Sequence, residues 1–230
     1  HYLYLMHDLE VIYEDSKLIA INKRSGPITE RSPFEQDTVE DAVHAHLSAK
    51  RKKPFVGVIH RLDRVTSGVL LFAKNKSTLV ELNDAFSRRT VQKTYFAITE
   101  SRPPEAKGKC DNYLMKDKKT KSAQVVPSET KGAKHALLRY QILEEAQGKF
   151  LLKIEPKTGR FHQIRAQLAH IGCPIIGDQK YGSTTPYINH SIALHAGQLK
   201  LQQSIHENAR LTFIASFPST KLWKEFTFLL

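Results

Sequence analysis

Residues 60–74 read HRLDRVTSGVLLFAK, in which a polar stretch is followed by an apolar run from Val69 to Ala73. A short apolar segment at residues 58–59 precedes the polar part. Apolar runs of this length, bounded by turn-forming residues, are typical of buried strands. The sequence therefore predicts a polar loop between two buried strands. The predicted loop carries the side chains of His60, Arg61, Asp63, Arg64, Thr66 and Ser67.

Asp63 is the acidic residue of this loop, and Arg61 and Arg64 stand on either side of it. A nearby guanidinium favours the ionised form of a carboxylate, and an ionised carboxylate suits the role of nucleophile or base better than that of acid. The same residues also fit an ordinary loop salt bridge between Asp63 and either arginine. The local pattern alone therefore leaves a catalytic and a structural role open.

Strands are also predicted outside this region. β-Branched and aromatic residues flank an acidic turn at residues 14–16, which predicts a hairpin over residues 9–23. Residue types predict further strands at 91–99, 137–144 and 150–155.

Three helices are predicted from apolar periodicity and from their start and stop signals. The first covers residues 37–50 with a capping box at Asp37 and Glu40, and the second covers residues 76–90 with one at Thr78 and Glu81. The third lies within residues 156–182 and is expected to end at Gly172. Its spacing places Arg165 off the apolar face, so this side chain is expected to point away from the core.

The composition indicates an ordinary globular chain rather than a membrane or disulfide-rich one. Of the 230 residues, 40% are hydrophobic and 25% charged, and the sequence predicts a single domain over residues 1–230. The apolar runs are far shorter than the roughly 20 residues of a membrane-spanning helix, and no secretion signal begins the chain, so a cytoplasmic location is expected. The two cysteines, Cys110 and Cys173, lack zinc-ligand spacing, and reduced thiols with no metal site are expected.

The charge of the chain points to a polyanionic partner. The formal net charge is +12, and phosphate backbones account for most of the affinity of basic proteins for nucleic acid. RNA or DNA is therefore the first candidate, well ahead of an anionic membrane. Residues 105–134 hold eight lysines and predict an exposed hairpin or loop, which is either an RNA-contacting arm or a solvated surface excursion.

Five blocks of the sequence, in order, resemble the RluA-type pseudouridine synthases. HRLDRVTSGVLLFAK matches the signature HRLD-x-x-T-S-G, and QKTYFAIT at residues 92–99 matches the segment K-x-Y-x-A. TGRFHQIRAQLAHIGCPIIGDQKYG at residues 158–182 matches the block TGRTHQIR, followed by G-x-PI-x-GD-x-x-YG. The opening VIYEDSKLIAINKRSG and the later IALHAGQLKL also match. The resemblance covers nearly the whole chain.

The resemblance implies that the protein isomerises uridine to pseudouridine in structured ribosomal or transfer RNA without a metal or redox cofactor. It implies Asp63 as the catalytic nucleophile, Arg165 as the partner that keeps this carboxylate oriented, and Tyr95 as a residue that packs on the base and serves as acid or base. It leaves open whether Asp63 attacks the sugar or the uracil ring or assists a glycal-like route. Substrate contacts are expected from His60, Arg61, Arg64, Thr66, Lys23, Lys74 and His162, with a structural role for His60 equally open.

The fold implied is α+β, with a mixed, mostly antiparallel central sheet, flanking helices and a central cleft where Asp63 and Arg165 meet. The chain is similar to the short members of the family that consist of the catalytic domain and lack an S4-like domain, and a monomer is expected. Arg24, Phe161 and Gln167 depart from the residues usual in the family, which puts substrate contacts near them in question.

Two other function classes are compatible with parts of the pattern. A noncatalytic RNA-binding or RNA-chaperone protein would retain the fold and the charge, although the presence of Asp63, Tyr95 and Arg165 argues against it. A base-excising glycosylase would share the carboxylate and the flipped base but release free uracil.

Overall fold

A computed structural model describes residues 9–33, 35, 37–202 and 211–229. These residues form a mixed, mostly antiparallel β-structure with α-helices, as expected for the predicted α+β class. The strands are β1 Glu10–Glu14, β2 Leu18–Lys23, β3 Gly57–Val58, β4 Ser67–Ala73, β5 Val91–Thr99, β6 Lys107–Asp117, β7 Ser122–Val126, β8 Lys134–Ala146, β9 Lys149–Pro156, β10 Leu194–Leu201 and β11 Thr212–Ile214. The α-helices are α1 Val39–Ser48, α2 Lys76–Ser87 and α3 Gln163–His170.

The chain divides into two compact units. The first comprises the described residues up to Gln92 and those from Ala196 to Ser216, and the second comprises Lys93–His195 and the described residues from Phe217 onward. The single domain predicted for residues 1–230 stays a prediction. In the described parts of the chain, every helix is too short or too polar to cross a bilayer.

The first unit is built on the neighbouring strands β1, β2, β4 and β10, with β11 beside β10 and β3 beside β4. β1 and β2 pair antiparallel, which confirms the hairpin predicted over residues 9–23. All seven residues of β4 are buried, as expected for the apolar run that follows the polar loop. Leu71 of this strand packs with Leu82 of α2 and Phe213 of β11 in one apolar core.

The first two helices exist where predicted, but both begin differently from the predicted capping boxes. Thr38 is the N-cap of α1 and forms a reciprocal capping box with Asp41, whereas the preceding Asp37 has a positive φ of 64°. The Asp37 and Glu40 box was therefore wrong by one residue. The side chain of Asn75 caps α2 by accepting a hydrogen bond from the Thr78 N–H at 2.9 Å, so the box predicted at Thr78 and Glu81 was also wrong.

The second unit contains five antiparallel strands in the order β5, β9, β8, β6, β7. β5 has the predicted bounds 91–99, and β6 with β7 forms the hairpin that was one of the two forms expected for residues 105–134. Helix α3 packs on one face of these strands, where Ala166 contacts the apolar cluster of Leu114 from β6, Ala123 from β7 and Ala136 from β8.

Gln167 connects helix α3 to two strands of this unit. The side chain is fully buried, and its Nε2 donates to the carbonyls of Cys110 at 3.1 Å and Ala136 at 3.0 Å and to Asn112 Oδ1 at 3.0 Å. This departure from the family pattern therefore serves packing between α3 and the strands, not a contact with substrate.

We expect Gly68, at the start of β4, to be intolerant of alanine. Its φ is +117°, and a Cβ atom would overlap the backbone carbonyl of Ala196. Gly26 has nearly the same φ, +115°, with no atom within 4 Å of its Cβ position, and is the matched control. Gly68→Ala should lower the free energy of unfolding by about 3 kcal/mol and Gly26→Ala by about 1 kcal/mol. Equal losses in urea titrations would show that the contact with Ala196 contributes nothing.

Candidate active site

Asp63 lies in the irregular segment between β3 and β4, as predicted. The segment turns on a hydrogen bond from the Thr66 N–H to the Asp63 carbonyl at 3.0 Å. Residues 59–66 form no strand or helix of their own, so their backbone groups require partners from elsewhere in the fold. Three of the carbonyl groups share one donor, a side chain from the neighbouring strand β2.

That side chain is Lys23, which is 2% exposed. Its ammonium donates to the carbonyl oxygens of Asp63 at 3.2 Å, Arg64 at 3.2 Å and Thr66 at 2.8 Å, and also to that of Arg24 at 3.0 Å. Burial lowers the pKa of Lys23 to about 7, although the nearby Asp63 charge raises it. This environment favours a supporting role for Lys23 over the substrate contact predicted from the sequence.

The two arginines beside Asp63 each have a carboxylate partner other than Asp63. Arg61 Nη1 donates to Glu30 Oε1 at 2.5 Å, and 70% of the Arg61 side chain is exposed. Arg64 forms an ion pair with Glu35 and donates from Nη1 to the Gly26 carbonyl at 3.1 Å. Arg61 is therefore accessible to a phosphate, and the substrate contacts predicted for both arginines stay predictions.

His60 and Lys74 are both held by their own unit. His60 Nε2 accepts the Leu71 N–H at 3.1 Å, and its ring stacks on Phe86 with 4.9 Å between centroids. Lys74 Nζ donates to Glu14 Oε1 at 2.9 Å and to the Asp15 carbonyl. These contacts favour the structural alternative for His60 and a similar role for Lys74. Thr66, also a predicted substrate contact, is buried.

Arg165 lies in the second unit, on helix α3, and it is buried. Its Nε donates to Asp178 Oδ2 at 2.7 Å and its Nη2 to Asp178 Oδ1 at 2.8 Å, which is a bidentate pair between two buried side chains. The guanidinium carbon also lies 5.0 Å from the centre of the Tyr181 ring. The expectation that Arg165 points away from the core was wrong, because the segment carrying Asp178 and Tyr181 covers that face of α3.

His162 completes the surroundings of Arg165. It is the N-cap residue of α3 and has a left-handed backbone conformation with a φ of 50°. Its Nε2 lies 3.0 Å from Arg165 Nη1, and its Nδ1 lies 2.9 Å from the Tyr181 hydroxyl. Because an arginine only donates, Nε2 is the acceptor and Nδ1 carries the proton that it shares with Tyr181. His162 thus fixes the guanidinium, and the substrate contact predicted for it stays a prediction.

Tyr95 lies in β5, opposite Ile154 of β9, and it is half-buried. Two residues earlier on the same strand, burial lowers the pKa of Lys93. The role predicted for Tyr95 stays a prediction, as does the cleft in which Asp63 and Arg165 were expected to meet.

Asp178 and Tyr181 were not predicted as site residues, although both lie in the block G-D-x-x-Y-G at residues 177–182. The available signal was an acid directly after the apolar run Pro174–Gly177, three residues before an aromatic ring. Within the parts of the chain that the structure covers, no three His, Cys, Asp or Glu side chains form a group that would hold a metal.

Each unit therefore contains one charged side chain on a segment that buried hydrogen bonds hold in place. The first unit offers the Asp63 carboxylate on a loop fixed by Lys23, and the second offers the Arg165 guanidinium on a helix fixed by Asp178. A fixed carboxylate suits nucleophilic attack on an electrophilic carbon, and a fixed guanidinium suits the recognition of an anion.

Comparison with known proteins identifies the family. The RNA pseudouridylate synthase family matches residues 17–170. Ribosomal large subunit pseudouridine synthase C of Rickettsia felis is 36% identical over 198 residues, which cover 85% of this chain and 63% of that protein. tRNA pseudouridine synthase C of Vibrio parahaemolyticus is 31% identical over 243 residues, which cover 95% of this chain and 93% of that protein. The chain belongs to the RNA pseudouridylate synthase family, as its five sequence blocks predicted.

A solved structure shares the fold. Human RNA pseudouridylate synthase domain containing 4 superimposes with a TM-score of 0.75 at 24% sequence identity, covering 95% of this chain and 91% of that chain. The chain spans less than two thirds of the length of the Rickettsia felis relative.

The Lys23 contacts predict that the polar loop depends on this ammonium. Lys23→Met keeps the length of the side chain but removes the ammonium that donates to the carbonyls of Asp63, Arg64 and Thr66, so the free energy of unfolding should fall by about 3 kcal/mol. Amide hydrogen exchange in residues 59–66 should become faster. The exposed Lys76→Met is the control and should change stability by less than about 0.5 kcal/mol. Unchanged exchange in the loop would contradict the role assigned to Lys23.

The Arg165–Asp178 pair predicts a large cost for removing one charge. Asp178→Asn leaves a buried guanidinium without its counter-charge, so the free energy of unfolding should fall by about 3 kcal/mol. Asp84→Asn removes a carboxylate from the exposed ion pair with Arg88 and should cost less than about 1 kcal/mol. Chemical denaturation of both variants measures the difference, and similar losses would mean that the buried pair is no stronger than the surface one.

Proposed function

We propose that the protein is an RNA pseudouridine synthase in which Asp63 is the nucleophile. The observation that carries this proposal is the HRLDRVTSG loop, whose carboxylate-bearing turn is fixed by the buried ammonium of Lys23. Membership of the RNA pseudouridylate synthase family supports the proposal.

The proposed reaction rearranges one nucleotide without net gain or loss of atoms. The bond between uracil N1 and the ribose anomeric carbon breaks, the uracil turns within the pocket, and a bond forms between uracil C5 and the same anomeric carbon. The proton on C5 leaves, and a proton is taken up at N1. Asp63 would start this sequence at the sugar, at the uracil ring or through a glycal-like intermediate, and the three routes stay open.

We assign supporting roles to Arg165 and Tyr95. The guanidinium of Arg165 would orient the Asp63 carboxylate, because a planar fork matches carboxylate geometry better than an ammonium does. Its own orientation is set by Asp178 and His162. Tyr95 would pack against the turning base and transfer the C5 proton.

The substrate proposed is a uridine in structured ribosomal or transfer RNA. The Rickettsia felis relative is named for the ribosomal large subunit and the Vibrio parahaemolyticus relative for tRNA, so both RNA classes are supported. A base inside a duplex cannot reach a carboxylate in a protein pocket, so the target is flipped out or already unstacked. The net charge of +12 fits this polyanionic partner. The cytoplasmic location, the monomeric state and the lack of a cofactor stay predictions.

Asp63→Asn tests the assignment of the nucleophile. The amide is nearly isosteric with the carboxylate but cannot act as a nucleophile, so turnover should fall at least about a thousandfold while RNA affinity changes little. The measurement is tritium release from ribosomal and transfer RNA labelled at uridine C5, beside RNA binding by filter retention. Asp84→Asn controls for the loss of one negative charge and should react like the wild type.

Three outcomes would count against the proposal in different ways. Substantial turnover by Asp63→Asn would remove Asp63 from the nucleophile role. Release of free uracil in place of pseudouridine would indicate a glycosylase. Salt-sensitive RNA binding by folded wild-type protein, without tritium release from either RNA pool, would indicate a noncatalytic RNA-binding protein.

A further inference from the structure

One face of the second unit carries two parallel rows of polar side chains. The pairing of β6, β8 and β9 aligns one row as Lys107, Gln141 and Lys153 and the other as Lys109, Arg139 and Glu155. Members of a row are direct neighbours on adjacent strands, and the two rows are two residues apart along each strand. Side chains two residues apart on a strand lie on the same face, so the rows flank a groove on that face. We call this feature the basic groove.

The floor of the basic groove is backbone. Gly108 and Tyr140 are paired between the two rows, and the alternation of side chains directs the Tyr140 ring to the opposite face. Tyr140 is buried, and a Cβ atom at Gly108 would lie 2.5 Å from the Tyr140 hydroxyl. Glycine at 108 therefore allows the ring to lie beneath the strand. The groove has a volume of about 420 Å³.

The charge of the basic groove is strongly positive. Four of its side chains are cationic, Lys107, Lys109, Arg139 and Lys153, and one is anionic, Glu155. The Glu155 carboxylate is neutralised by two lysines. It lies 2.9 Å from Lys153 Nζ, within the groove, and 3.5 Å from Nζ of Lys157, which does not line the groove. Lys109 has a weak contact of 3.6 Å with Asp111.

Two of these cations have no counter-charge of their own. Lys107 and Arg139 are exposed, and no ion pair or side-chain hydrogen bond joins either of them to another residue in the described part of the chain. Two unpaired cations in opposite rows therefore face a shared channel, and like charges held close together favour an anion between them.

We propose that the basic groove binds the phosphodiester backbone of a single-stranded RNA segment. The rows are about 7 Å apart and each spans about 10 Å across three strands, which suits a narrow, extended polyanion. Arg139 and the lysines would contact phosphate oxygens, and the Gln141 amide would donate to phosphate or ribose oxygens. The inference rests on the proposed function, since it takes the bound RNA to be part of the substrate.

The groove offers charge but no surface for base stacking. Grooves that grip bases in single strands combine cations with exposed aromatic rings, whereas Tyr140, the aromatic residue of the lining, is buried. Binding here should therefore be insensitive to base sequence. Its contribution should appear in the salt dependence of affinity and in KM rather than in the rate of the chemical step.

The test compares the double variant Lys107→Ala, Arg139→Ala with a control that removes two exposed lysines elsewhere, Lys76→Ala, Lys221→Ala. Binding of a fluorescein-labelled 20-nucleotide oligouridylate is measured between 50 and 300 mM KCl by anisotropy. Each phosphate contact to a single strand contributes about 0.7 to the slope of log affinity against log salt. The groove variant should therefore lose about 1.4 from the slope and bind about tenfold more weakly at 100 mM salt, whereas the control should match the wild type.

Turnover separates this inference from the proposed function. In tritium release from ribosomal and transfer RNA, the groove variant should show a raised KM with kcat retained. If the wild type releases tritium and the groove variant matches the control in slope and KM, the groove proposal is wrong and the proposed function stands. If the wild type releases no tritium, the proposed function fails, and the oligouridylate slopes alone decide whether the groove binds RNA. Weakened binding of heparin with unchanged binding of oligouridylate would overturn the groove proposal, since it would show a general anion site.

Discussion

The ammonium of Lys23 is the interaction on which the candidate catalytic loop depends. Residues 59–66 belong to no helix or strand, so their carbonyl groups need donors that a regular element would otherwise supply. One lysine from β2 satisfies three carbonyls of this segment together with that of Arg24. Burial of the charged ammonium costs free energy, and the same loss of solvation lowers its pKa to about 7. The carbonyl dipoles and the Asp63 carboxylate offset it, so loop geometry and the position of the carboxylate are coupled.

In the second unit, the cation is itself the group that is held in place. There, the group to be fixed is a guanidinium, and Asp178 grips it by two parallel hydrogen bonds while His162 holds a third nitrogen. The choice of cation follows from geometry: an ammonium directs its donors in several directions and serves carbonyls arranged around it, whereas a guanidinium presents them in a plane and suits a carboxylate. Both units thus hold a charge of the candidate site by burying a second charge nearby, which makes each unit sensitive to the loss of a single side chain.

The sequence predicted the strands and helices well because their signals are local. The run 91–99 became β5 with the same bounds, and the hairpin of residues 9–23 formed as the turn residues indicated. Helix starts were less certain, since a polar residue followed three positions later by an acid occurs both at Asp37 and at Thr38, and only the backbone conformation distinguishes them. The partners of the buried charges could not be predicted from local sequence patterns, because they lie far away along the chain. Asp178 is 13 residues from Arg165, and the carbonyls around Lys23 come mostly from a segment 40 to 43 residues away.

The sequence also does not show which of the positive charges are available to a partner. A net charge of +12 suggests a surface that binds polyanions. Several cations, however, already have partners within the protein: Lys23 bonds to backbone carbonyls, Lys74 to Glu14 and Arg165 to Asp178. Each was assigned to substrate or catalysis from sequence, because a lysine or arginine in a motif carries no sign of whether it is buried. A cation that is exposed and lacks a counter-charge is available to a polyanion. Lys107 and Arg139 have both properties and lie on the same face of the sheet. Register decides this outcome, because a shift of β6 by one residue against β8 would place Lys107 and Lys109 on the buried face.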